Sequence, residues 1–325
     1  MKKYTTTAWI ITYNGEKYIK EQLESILNQT IRPDEIVISD DCSNDNTVEI
    51  IKETLGNSNV PYVLNVNRTN LGIVKNCVES LHFCNGEILF ISDQDNVWDS
   101  RFIESFLSKF ESDENLDYVF CNGYVTDENL KVLRDVYDDE FMNKSKNQFL
   151  LDAINKKGFP HGFSIACKKS FRERIMPDMF AGDEWCALCA GATGNIGSIN
   201  EKLVYFRRHE SSFSRSEGGG VKKGYWFMIT HYDFGRWFIW PFTKRDAYQR
   251  YLELFGDTLD SEVKEIVVKH KDFEAELESL KSLGWLSRLK KLCNLSRTKE
   301  YEMYRGNRNT FYLDFLYLFI HLNIK

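Results

Sequence analysis

Residues 6–41 read "TTAWIITYNGEKYIKEQLESILNQTIRPDEIVISDD". An apolar run from Ala8 to Ile11 closes on Thr12, Tyr13 and Asn14. The period then changes: Tyr18, Ile19, Leu23, Ile26 and Leu27 share one face of a helix predicted over 16–29. A second short apolar run, in residues 34–41, stops on Asp40 and Asp41. Strand, helix and strand of these lengths make a right-handed crossover, the repeating unit of a parallel sheet covered on both faces.

The alternation continues with a helix over 45–55, capped by Asp45 and Asn46, and a strand over 61–66. A helix over 72–84, a strand over 87–92, a helix over 100–110 and a strand over 117–122 follow. The fold class is therefore α/β, a mostly parallel sheet flanked by helices. Residues 123–160 are polar, acidic and without clear period. A strand at 163–169, a helix at 183–192 and the short strands "NIGSI" and "KLVYF" lead into a basic loop. Gly218 to Gly220 mark the boundary, giving a domain of 1–217 and a helical, aromatic and basic region of 218–325.

A hydrophobic content of 42% is that of a globular chain, and the net charge of −6 speaks against nucleic acid as a partner. The eight cysteines show no disulfide framework. Cys186 and Cys189 form one CxxC, but no second pair completes a zinc site, which favours buried thiols. The first residues lack the pattern of a signal peptide, so a reducing cytoplasm is expected.

Ligands of open parallel sheets bind beyond the carboxyl ends of the strands. Thr12, Tyr13 and Asn14 end the first strand, Asp40 and Asp41 the second, and Asp93, Gln94 and Asp95 the fourth, in "ILFISDQDNVWDS" (88–100). Four carboxylates facing one crevice repel unless a cation neutralises them. Mg²⁺ or Mn²⁺ suits an all-oxygen site that also holds phosphate, and a nucleoside diphosphate is the natural anion.

In order and spacing, "TYNGEKYIKEQLESILNQT", "DEIVISDDCSNDNT", "NLGIVKN" and "ILFISDQDNVW" resemble the family 2 glycosyltransferases of the GT-A fold, most of all bacterial rhamnosyltransferase-like members that build surface polysaccharides such as capsule and O-antigen. The resemblance spans roughly residues 5–215 and continues in "HGFSIACKK", "GDEWCAL" and "YFRRHESSFS". It implies an inverting, metal-dependent transfer from a nucleoside-diphosphate sugar, dTDP-rhamnose or a UDP-sugar, to a hydroxyl of a growing glycan. It implies Asp183 as the base, with its position also fitting a helix N-cap. Asp40, Thr12 and Tyr13 would take the nucleotide base, Asn70 and Lys75 the ribose or phosphate, and Asp93, Asp95 and His209 the metal and diphosphate. Arg207, Arg208 and Arg215 would surround His209, while His161, Gly162, Glu184 and Trp185 would lie on the acceptor side. The sequence departs from the pattern at Cys42 (usually Gly), Asn96 (usually Asp), Gly182 (usually His) and Glu184 (usually Trp). Asn96 and Gly182 leave open a catalytically silent, sugar-nucleotide-binding scaffold.

"GATGNIG" (191–197) imitates a dinucleotide-binding fingerprint but follows a helix and precedes a strand, the wrong context. From Lys281 to Arg308 eight Lys or Arg face only Glu300 and Glu302. There Trp285, Leu286, Leu289, Leu292 and Leu295 share one helical face, as in a helix lying on an anionic membrane. Packing on the catalytic domain or in a homodimer explains the same pattern. Peripheral contact with the inner leaflet would suit a lipid-linked acceptor.

Overall fold

The computed structural model describes residues 3–154, 158–175, 183–209, 244–298, Tyr301 and Phe315. Gly182, Arg215 and the 218–220 boundary lie outside the described residues, as does the Glu184 side chain. The chain forms two compact units. One comprises Met1–Lys146, Pro160–Cys186 and Gly194–Phe213; the other comprises Asn147–Phe159, Ala187–Thr193 and Ser214–Lys325.

The first unit holds a nine-stranded sheet in the order β3-β2-β1-β4-β8-β6-β9-β5, with β7 paired to β6. Strands β1 (Thr6–Thr12), β2 (Glu35–Asp40), β3 (Tyr62–Val66) and β4 (Ile88–Asp93) are parallel to one another, as the alternation predicts. Beyond β4 the sheet is mixed. Strand β8 (Ile165–Lys168) runs antiparallel to β4 and to β6 (Tyr118–Thr126). Strand β9 (Ile196–Arg207) is parallel to β6, and β5 (Val97–Trp98) is antiparallel to β9. The two short strands expected near 200 are thus one, carried past register shifts between Cys121 and Gly123.

Helices α1 (Ile19–Leu27), α2 (Thr47–Gly56), α3 (Ile73–Ser80) and α4 (Phe102–Ser112) cover the parallel half. Helix α1 buries Ile19, Leu23 and Ile26, and α4 buries Phe102, Ile103, Phe106, Leu107 and Phe110 against the sheet. Removing one such ring, as in Phe106→Ala, costs about 3–5 kcal/mol. The cap of α2 is Asp45, whose Oδ1 accepts from the Thr47 amide (3.1 Å); Asn46 makes no side-chain cap. The polar segment after residue 123 hides a hairpin with β7 (Val132–Asp135), helix α5 (Asp139–Met142) and the start of α6 (Lys146–Ile154). The unit also holds α7 (Lys169–Ile175) and the first turn of α8 (Asp183–Thr193). "GATGNIG" joins α8 to β9, the opposite of a phosphate-binding strand-to-helix turn.

In the second unit, helices Lys244–Phe255, Ser261–Ser279 and Trp285–Leu295 follow one another. Phe273, Leu277, Leu280, Leu292, Leu295 and Tyr301 form its apolar cluster. Leu292 and Leu295 are therefore spent on packing, while Trp285 and Leu286 are each 63% exposed. No helix among the described residues is long and apolar enough to cross a membrane.

Candidate active site

Parallel pairing sets the strand ends side by side: Thr12 lies opposite Asp40, and Ile11 opposite Asp93. Asp40 is fully buried, and its carboxylate accepts from the Thr12 hydroxyl (2.8 Å), the Ser43 amide (2.9 Å) and the Ser43 hydroxyl (2.5 Å). Asp41 is buried and accepts from the amides of Leu71 (2.7 Å) and Gly72 (2.8 Å) and from Asn67 Nδ2 (3.0 Å). One amide and two hydroxyls thus meet Asp40, and two amides and one side-chain amide meet Asp41, which fixes both carboxylates at the ends of the strands. Tyr13 (45% exposed) and Asn14 are the exposed groups at the end of β1, and Asn14 bridges to the β2–α2 turn by accepting from the Asn44 amide (2.9 Å).

Asn70 donates to the Asp41 carbonyl (3.3 Å), and its buried Oδ1 has no hydrogen-bond partner among the described residues. Lys75 is exposed on α3 and pairs with Glu79 (3.5 Å). Asn76, the next residue on α3, is buried and accepts from the Ser39 hydroxyl (2.6 Å) and Asn67 (2.9 Å), pinning α3 to β2.

After β4 the turn is fixed residue by residue. Gln94 accepts from the Tyr13 amide (2.9 Å) and donates to the Tyr13 carbonyl (3.1 Å), clasping the tip of β1. Asn96 is fully buried, donates to Asp93 Oδ2 (3.2 Å) and accepts from the Arg207 amide (3.2 Å). An aspartate there would lack the donor, so the departure from the family pattern has a bonding reason. Asp95 Oδ2 meets His209 Nε2 at 2.9 Å, and the His209 ring lies 4.6 Å from that of Tyr18. Arg207 is buried, and Arg208 lies over the Phe206 ring (5.3 Å). Helix α1 adds a polar stripe that its apolar period concealed. Gln22 donates to the Ser92 hydroxyl (2.6 Å), the Ser25 hydroxyl accepts from the Trp98 amide (3.1 Å), and Gln29 donates to the Asp99 carbonyl (2.6 Å).

Asp183, the first residue of α8, accepts from the Gly162 amide (2.7 Å). A Cβ on Gly162 would sit 2.6 Å from Asp183 Oδ1, so only glycine lets the main chain approach this closely. His161 is exposed and donates its amide to the Tyr137 hydroxyl (2.7 Å). Trp185 is buried, as is Gly162, and donates to the Ile175 carbonyl (3.1 Å).

Burial, then the neighbouring Asp95 and Asp183, push the Asp93 carboxyl up to about 8, while Asn96 opposes. Burial likewise raises Asp183, against the Gly162 amide and the nearby His161, which lower it. Cys77 on α3 belongs to the same neighbourhood: burial and then Asp183, Asp93 and Asp41 drive its thiol upward, keeping it neutral. No motif pointed to it. Among the described residues, no group of three or more His, Cys, Asp or Glu forms a metal cage. The set nonetheless fits a hard divalent ion that keeps water and phosphate ligands, because Asp95 and His209 converge and the buried Asp93 lies close enough to Asp95 to feel its charge.

Residues 7–175, just over half of the chain, match the model of Glycosyl transferase family 2. The chain belongs to this family. It is 24% identical over 282 residues to a hyaluronan synthase of Pasteurella multocida, covering 85% of this chain and 27% of that protein. A chondroitin synthase of the same species is 24% identical over 287 residues, at 86% and 27% coverage. The chain thus spans about a quarter of the length of these curated relatives. S. aureus TarS 1-349, solved with UDP-GlcNAc, superposes with a TM-score of 0.58 at 14% identity, covering 92% of this chain and 81% of that one. The Pyrobaculum calidifontis mannosyltransferase PcManGT, solved with GDP-Man and Mn²⁺, gives 0.51 at 17% identity, with 98% and 88% coverage. Both share the GT-A fold.

Proposed function

We propose that this glycosyltransferase moves a sugar from a nucleoside-diphosphate donor to a hydroxyl of a growing bacterial surface glycan, with inversion. The observation that carries the proposal is the meeting of Asp93, Asp95, His209 and Asp183 at the carboxyl ends of the strands. Tyr13, Asn14 and Asn70 would line the nucleoside side, with Asp40 and Asp41 supporting them from behind. Asp95 and His209, with Asp93, would hold Mn²⁺ or Mg²⁺, which when bound supplies Lewis-acid stabilisation of the leaving diphosphate. Asp183 Oδ2 is fixed by Gly162, and Oδ1 has no hydrogen bond from a described residue. That oxygen would take the acceptor proton as the acceptor oxygen bonds the anomeric carbon. The bond from that carbon to the phosphate oxygen breaks, and the nucleoside diphosphate leaves with its electron pair. Burial, by raising the Asp183 carboxyl, makes it a stronger base than a solvated aspartate.

The donor is dTDP-rhamnose or a UDP-sugar, and the acceptor is lipid-linked at the inner face of the plasma membrane. From Lys281 to Arg297 there are five basic and no acidic residues, and the exposed Trp285 and Leu286 stand among them. This composition supports peripheral contact with anionic lipid. The test is calorimetric binding and turnover of UDP-, dTDP- and GDP-sugars, with and without Mn²⁺, on wild type and Asp95→Ala. Saturable binding of one donor that weakens in the variant and without metal is expected. No binding of any donor with metal present overturns the proposal and favours the silent scaffold.

A further inference from the structure

Arg207 is buried and pairs with the half-exposed Glu21. Its Nε donates to the Asp95 carbonyl (2.9 Å), its Nη1 to the Glu128 carbonyl (2.6 Å), and its Nη2 to the Glu21 carboxylate. The guanidinium lies 4.7 Å from the centre of the Tyr18 ring, and the Arg207 amide donates to Asn96 Oδ1. One side chain therefore fastens the end of β9 to the turn after β4, to the β6–β7 hairpin and to α1. Two residues on, the same strand end delivers His209 to Asp95 and to the other contact of Tyr18.

From this geometry we infer that Arg207 and Asn96 form a latch that positions His209 against Asp95. They are positioning residues for the diphosphate and metal end of the site, and the inference rests on the donor-site reading above. Two independent ties, one from the side chain and one from the main chain, hold the backbone of Arg207 to the segment that carries Asp95. The planar fork of arginine suits the site, because Nε, Nη1 and Nη2 each meet a separate acceptor, whereas an ammonium offers all its donors from a single nitrogen. Glu21 offsets the buried charge, and the Tyr18 ring, flanked by both Arg207 and His209, fixes their spacing. In metal sites, partners of this kind outside the ligand set typically carry 10–100-fold in affinity.

The test compares wild type, Arg207→Lys, Asn96→Ala and Arg172→Lys. Arg172 is an equally buried arginine that donates to the Cys84 carbonyl, away from the latch. Two readouts are taken: the imidazole ¹H–¹⁵N resonances of His209, assigned by their loss in His209→Gln, and the Mn²⁺-dependence of UDP, dTDP and GDP binding. In Arg207→Lys and Asn96→Ala the His209 resonances should shift, and nucleotide affinity in Mn²⁺ should fall about 10–100-fold. Arg172→Lys should lose thermal stability without either change. Unshifted His209 resonances in folded Asn96→Ala or Arg207→Lys overturn the latch. If wild type binds no nucleotide, the donor-site reading fails on its own, while the resonances still decide the latch.

Discussion

Replacing Gly162 by alanine tests whether Asp183 is poised for chemistry. The added methyl carbon would lie 2.6 Å from Asp183 Oδ1 and 3.3 Å from its carboxyl carbon. Ordinary contact begins near 3.4 Å, so the carboxylate must retreat by about 0.8 Å, the difference between 3.4 and 2.6. That shift breaks or stretches the 2.7 Å bond from the Gly162 amide, and a hydrogen bond to a charged group is worth about 1.5–3 kcal/mol. A displacement of about 1 Å in a reacting group typically costs 10²-fold in rate. Losing the amide removes an influence that lowers the Asp183 carboxyl, so the carboxyl rises further. A base that must be ionised then becomes available only at higher pH. We expect kcat to fall about 100-fold with donor KM nearly constant, and the acidic limb of the pH–rate profile to move to higher pH. The assay is steady-state transfer from the donor identified by binding, run across pH beside Asp183→Asn. Wild-type kcat and an unmoved acidic limb in Gly162→Ala would refute the role given to Asp183.

Asp93→Asn should raise the thermal midpoint of the metal-free protein at pH 8. The folded Asp93 carboxyl sits at about 8, well above its ordinary value of 3.8, so the native state holds a proton that the unfolded chain has lost. Stability therefore declines as pH rises between those values, and the advantage of asparagine should vanish near pH 4 in scanning calorimetry. Cys42 occupies left-handed backbone (φ +64°), which costs a side chain about 1–2 kcal/mol. After the extra chain entropy of glycine, Cys42→Gly should stabilise by about 0.5–1 kcal/mol in urea unfolding, whereas Cys42→Ala should not. Trp285→Ser with Leu286→Ser should abolish co-sedimentation with vesicles rich in phosphatidylglycerol. Retention by uncharged phosphatidylcholine vesicles, or wild-type retention of the double variant, would count against a basic-aromatic membrane contact.

The parallel half of the sheet was legible because each strand is a short apolar run and each helix keeps a 3.6-residue period. Strand β7 was not, since all four of its residues are exposed and leave no alternation to read. Strand β9 was divided in two because Asn200 and Glu201 interrupt its apolar pattern, although pairing with β6 resumes beyond the register shift. At the site, Asp95, His209, Gly162 and Asp183 were found by motif and are brought together in pairs. The amides of Ser43, Leu71 and Gly72 that hold Asp40 and Asp41 could not be read in advance, because they are contributed by backbone, which carries no side-chain signature. The burial of Trp185 was illegible for a related reason: its helix is apolar on all sides, so no face distinguishes core from crevice. Gln22, Ser25, Asn96 and Arg207 look like ordinary polar residues until their partners from distant segments arrive.

The continuous strand β9 has a consequence for how such a chain can change in length. Past its register shifts, Val204–Arg207 pairs residue for residue with Gly123–Thr126 of β6, so gaining or losing one residue in this last stretch would exchange the faces for everything after it. Arg207 would leave its three carbonyl and carboxylate partners, and His209 would arrive on the wrong side of Asp95. Insertions and deletions are therefore barred from Val204–Arg207, while substitutions at the exposed Asn200 and Glu201, beside the register shifts, remain open. The last four residues of β9 act as a fixed ruler between the body of the sheet and His209.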